Sequence, residues 1–160
     1  IKEWDWSSDV CSSDLLSWEG EAMSPFLLPI FALAFVTGCV WLAMLVQRAS
    51  HMSRHGLKPQ DMPTRALADA KFGDAQSSNN ALMNLFELPV LFYVLCVLMI
   101  VLNRSDALML GMAWIYAGLR TVQALIHVTY NNVLQRGIAY LASSALLWAM
   151  WVRLGWILWA

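Results

Sequence analysis

The sequence predicts an all-α integral membrane protein, a four-helix bundle, and three observations predict it. The 160-residue chain is 59% hydrophobic. Only 13% of it is charged, where a soluble domain carries about 25%. The apolar residues gather in four runs, each near the ~20 residues that cross a ~30 Å hydrocarbon core.

Residues 1–22 stand apart from this pattern. They hold Glu3, Asp5, Asp9, Asp14, Glu19 and Glu21 against Lys2 alone, and Ser7-Ser8-Asp9-Val10 nearly repeats as Ser12-Ser13-Asp14-Leu15. With no positive n-region and no apolar stretch, this is not a signal peptide. It reads as a non-native leader, translated sequencing-adaptor read-through, with the native start expected at Met23 and one domain over 23–160. From Met23 onward, nine basic residues stand against five acids. The bases gather beside the apolar runs, so they are topology signals rather than a nucleic-acid patch.

The first span is expected over 25–47, with no charge in it. The second covers 80–102 and contains Glu87. The third covers 107–130 and contains Arg120 and His127. The fourth covers 137–159 and contains Arg153. Each must satisfy its backbone internally, so each is a helix. The loop over 48–79 carries Arg48, Arg54, Lys58, Arg65 and Lys71, which places it in the cytoplasm and both termini outside. The two later connections are short and make antiparallel neighbours. Trp148, Trp151, Trp156 and Trp159 are expected to form an interfacial belt, with Arg153 snorkelling beside them. Ala66 to Phe72 could lie on the membrane surface.

Polar residues at helical spacing are the informative signal inside a span. Asn80, Asn84 and Glu87 fall at i, i+4 and i+7. Tyr116, Arg120, Gln123 and His127 fall at i, i+4, i+7 and i+11. Arg136, Tyr140 and Ser143 or Ser144 repeat the pattern at the start of span four. All three stripes belong to the cytoplasmic half. Glu87 and Arg120 are the natural ion pair, because a lone charge at that depth costs at least ~2.5 kcal/mol. Two accounts fit the stripes: a structural ion pair with amides joining helices, or a polar pocket open to cytoplasm and lipid. Pro89 removes a backbone donor two residues after Glu87 and can bend that helix.

Other candidates carry less. Cys39 and Cys96 read as small buried hydrophobes and Cys11 lies in the leader, so no disulfide framework is expected. His51 and His55 have a metal-compatible spacing but lack further ligands, and no metal is expected. His127 is the one histidine within a span, which gives no bis-histidine haem.

The stretches Asn84-Leu85-Phe86-Glu87-Leu88-Pro89-Val90-Leu91-Phe92-Tyr93, Arg120 to His127, and Tyr130-Asn131-Asn132-Val133-Leu134-Gln135-Arg136 resemble the bacterial branch of MAPEG, the membrane-associated proteins in eicosanoid and glutathione metabolism. The resemblance covers nearly all of residues 25–158. It implies a homotrimer in a bacterial inner membrane, with glutathione bound at the subunit interface on the cytoplasmic side. It implies transfer of glutathione to lipophilic electrophiles, or reduction of lipid hydroperoxides. By position, Arg136 would be the catalytic residue that stabilises the thiolate. Asn84 and Glu87 would hold the glutathione backbone, Arg120 would support the site through a buried ion pair, and Tyr140 would line it. Asn80 stands where well-studied members carry a carboxylate-gripping arginine, and His127 and Gln123 also depart from the pattern. Asn80 and His127 are kept as candidate ligand-binding residues at those positions. The lost arginine keeps a second function open, a non-catalytic lipid-binding protein of the same fold. A third is a small transporter using Glu87, Arg120 and His127 as a relay.

Overall fold

The computed structural model describes residues 24–58, 60, 63–64, 67, 71–72, 77–104 and 106–159. The expectation of a non-native leader lies outside these residues, as do most positions of the Ala66 to Phe72 segment. The described chain forms α1 (Leu27–His55), α2 (Ser77–Phe86), α3 (Leu88–Val101), α4 (Ala107–Val128) and α5 (Val133–Trp159). α2 and α3 together make one span, so four helical stretches are long and apolar enough to cross a membrane.

The ends of these helices follow from local chemistry. α1 runs two turns past the expected end and stops at Gly56, whose φ of 63° is left-handed. Glycine takes that conformation without a Cβ penalty. The Leu57 amide closes the cap on Met52 O at 3.0 Å. Asp106 caps α4 by accepting from the Leu108 amide at 3.0 Å, which satisfies one of the free donors of a first turn. Asn132 does the same for α5, accepting from the amides of Leu134 at 3.1 Å and Gln135 at 3.2 Å. The turns before α4 and α5 contain Asn103 and Asn131 at φ 47° and 48°, a region asparagine visits more readily than most residues.

The second span is not one continuous helix. Glu87 has φ −83° and ψ −95°, and Pro89 sits in the first turn of α3. Proline has no N–H to donate and crowds the preceding turn, which breaks the ladder here. The bend expected from Pro89 is therefore present, and it takes the form of a break centred on Glu87.

α4 is the inner helix of the bundle. It packs against α1, α2 and α5. Its inward face carries Met109, Ala113, Tyr116, Ala117, Arg120, Gln123, Ala124 and His127. The apolar core above the polar residues joins Leu33, Phe92, Leu95, Cys96, Met99, Leu147 and Met150. Phe92 stacks on Tyr116 with centroids 4.6 Å apart. Large apolar side chains such as Phe35, Val101, Val152 and Trp156 face outward, as expected where the solvent is lipid. Cys96 is buried as anticipated, but Cys39 is exposed.

At the end of the bundle away from the long loop, the expected snorkelling of Arg153 gives way to an ion pair. Its Nη2 lies 2.7 Å from Asp106 Oδ2, and its Nε donates to the same oxygen at 2.7 Å. The acid that caps α4 is thus also the partner of α5. Trp148, Trp156 and Trp159 are exposed and fit a belt. Trp151 turns partly inward, with its buried Nε1 unpartnered.

Candidate functional site

The third-span stripe is where the sequence placed it. Tyr116, Arg120, Gln123 and His127 are all at most 3% exposed, because their spacing puts them on the face that α4 turns toward its neighbours. Arg120 Nε donates to Tyr116 Oη at 3.1 Å, and Nη1 donates to Gln123 Oε1 at 2.9 Å. From α5, the Tyr140 ring lies 5.0 Å from the guanidinium, close enough for a cation–π contact. Arg120 Nη2 is buried and has no acceptor.

The second-span stripe is only partly assembled. The buried residues Ser78, Ala81 and Leu85 define the inward face of α2. At about 100° per residue, Asn80 and Glu87 fall on roughly the opposite side and Asn84 on its flank. Asn80 and Glu87 are accordingly exposed, and Asn84 is half-buried. The expected Glu87–Arg120 ion pair does not form within the chain. Among the described residues the ion pair is that of Arg153 with Asp106. Periodicity was right about which residues share a face and wrong about which way that face turns. Glu87 is displaced further by the backbone break.

Ala81, Asn84 and Leu85 of α2 line a narrow crevice with Arg120, Gln123, Ala124 and His127 of α4. Inside one chain the crevice has no room for a water molecule. Its donors fit an anionic or carbonyl-rich ligand, yet a tripeptide such as glutathione would need a further wall.

Arg136 and Tyr140 reach the cluster from the first turns of α5. Arg136 Nη1 lies 3.0 Å from His127 Nε2 and donates to Asn131 Oδ1 at 2.8 Å. Ser143 and Ser144 turn back to donate to Tyr140 O at 2.9 and 2.7 Å. They serve the helix rather than the crevice. Of the residues singled out from sequence, Asn84, Arg120, His127, Arg136 and Tyr140 converge. Asn80 and Glu87 do not. Asn131 was missed as part of the cluster. The signal available was its place five residues before Arg136, next to an asparagine suited to capping.

Beside the long loop a second polar group forms. Arg48 Nη2 donates to Asn79 Oδ1 at 3.1 Å, and its guanidinium lies 5.3 Å from the Phe72 ring. Phe72 is thus buried against Arg48 and His51 at the loop end of α1. His51 and His55 stack at 4.2 Å, and Nε2 of His51 meets Lys71 O at 3.1 Å. Among the described residues no metal-binding group of histidine, cysteine and acid assembles.

Comparison with known proteins gives one finding at the level of family. No curated protein and no solved structure matches the chain. The family model described as MAPEG family matches residues 26–156. That interval contains the first three spans, the fourth as far as Trp156, and every residue of the crevice. A four-helix membrane bundle with its polar cluster on the inner helix, matched over most of its length, therefore belongs to the MAPEG family.

Proposed function

We propose that this protein is a membrane-bound, glutathione-dependent transferase or peroxidase acting on lipophilic electrophiles or lipid hydroperoxides. The observation that carries the proposal is the convergence of Arg120, His127 and Arg136 beside Asn84 at one end of the bundle. Members of the family generally use glutathione, and a thiol reacts as its thiolate. Arg136 is partly exposed at the mouth of the cluster, where a guanidinium favours the thiolate over the thiol. The unpartnered Arg120 Nη2 suits a carboxylate or peptide carbonyl.

The missing wall supports a homotrimer, the usual state of the family. Asn80 and Glu87 are polar side chains left exposed on the second span. In a trimer they would face a neighbouring copy and the ligand between them. The basic loop favours placing this end in the cytoplasm with both termini outside, and the resemblance to the bacterial branch of the family favours a bacterial inner membrane.

The test uses the purified full chain in detergent. Adding glutathione should produce ultraviolet thiolate absorbance, and an activated chloroarene should be conjugated. Arg136→Ala should abolish both. Glutathione binding without thiolate or turnover would favour the second reading, a non-catalytic lipid-binding protein. The observation on that side is Asn80, exposed and uncharged where an arginine would grip a carboxylate.

A further inference from the structure

The bonding around Arg136 fixes the state of its neighbour. A guanidinium donates only and stays protonated. Its two Nη1 hydrogens serve Asn131 Oδ1 and His127 Nε2, so the imidazole accepts at Nε2. An imidazole that accepts there is neutral and carries its single proton on Nδ1. His127 is 2% exposed, and its Nδ1 is buried with no partner in the chain. The same side chain lines the crevice alongside Arg120, whose Nη2 is also unpartnered. A buried donor without an acceptor costs free energy unless something else supplies one.

We propose that His127 is a positioning residue that links Arg136 to the ligand: Nε2 and Asn131 together hold the guanidinium at the crevice mouth, while Nδ1–H donates to an oxygen of the bound thiol peptide. The ligand half of this inference rests on the function proposed above. The Arg136 half rests on geometry alone. Because the imidazole is neutral, Arg136 carries the positive charge by itself, and the thiolate is drawn to one defined point. A merely structural histidine would hold the α4–α5 turn together and have no bearing on the thiol.

Two measurements on the full chain in micelles decide it. In the first, histidine is labelled with nitrogen-15, and the His127 signal is assigned by its disappearance in H127Q. The Nδ1–H tautomer is expected in the native protein. In R136A it should relax toward the mixture of a free imidazole. An Nε2–H tautomer, or a signal indifferent to R136A, overturns the positioning role.

In the second, thiolate yield per bound glutathione is read by ultraviolet absorbance. H127F keeps a ring and loses both nitrogens. It should lower the yield about tenfold, the size of a lost hydrogen bond to a charged group. H127Q, whose amide oxygen can stand near the former Nε2, should recover most of it, and H127N should not. Equal yields in H127F and the native chain overturn the proposal, as does equal rescue by glutamine and asparagine. Should H127F fail to fold, the glutamine and asparagine pair still decides. A native chain that forms no thiolate while the tautomer result holds overturns the proposed function and the ligand half together, and leaves the Arg136 half supported.

Discussion

Arg120 is a demanding side chain, a buried guanidinium with two internal acceptors and an unpartnered Nη2. Replacing it with alanine strands Tyr116 Oη and Gln123 Oε1 in an apolar surround. Each stranded group costs about 1–3 kcal/mol, so Arg120→Ala should lower the detergent melting temperature sharply. Arg120→Lys should not repair it, because a point charge does not reproduce the planar fork. Asp106 behaves differently because it lies outside the spans. Its hydrogen bond from Arg153 is the main cause holding its carboxyl below the usual 3.8, aided by the Leu108 amide. A carboxyl lowered by folding contributes stability above the unfolded pKa, and that contribution is lost as pH falls through the lower folded value. Asp106→Asn should therefore remove part of the acid dependence of melting below about pH 4. Its effect at neutral pH should be small, as for partly exposed ion pairs generally. At this scale the α4 stripe was legible from spacing alone. The absence of a Glu87–Arg120 pair was not, since a helical repeat carries no information on which neighbour its face meets.

The helical elements were legible to within a few residues where hydropathy and helix coincide. They diverge at α1, whose polar last two turns, Arg48 to His55, continue the helix beyond the apolar run. Hydropathy marks where a membrane would end, and capping marks where a helix ends. The interrupted second span was half legible: Pro89 announced a disturbance, but its exact centre at Glu87 depends on ψ, which sequence does not reveal. Pro89→Ala restores one backbone N–H and removes the ring. Interior proline costs a helix about 3 kcal/mol, so the variant should join α2 to α3. Hydrogen exchange should then slow at the amides around Glu87. Unchanged exchange there would show that something other than the proline keeps the span broken.

For the whole molecule, the apolar exterior and the inner position of α4 agree with the expected four-helix membrane bundle. What one chain could not reveal was the fate of Glu87, an acid left on an outward face of a span. Such a group is costly in lipid and should be covered by protein. Native mass spectrometry from detergent is expected to show trimers, and Glu87→Leu should dissociate them. The control is Val97→Leu, an exposed apolar position on the same span, which should leave assembly intact. If Glu87→Leu instead raises the melting temperature without changing mass, Glu87 faces lipid and the trimer interface lies elsewhere.

The α4–α5 hairpin is clasped by an arginine at each end, Arg153 on Asp106 and Arg136 on His127 and Asn131. Among the described residues no arginine clasp ties α2 to α4 along the crevice. A bulky oily guest arriving sideways from the bilayer would thus meet a frame pinned by two arginines on one side and, on the other, a helix moored to α1 through Arg48 and Asn79.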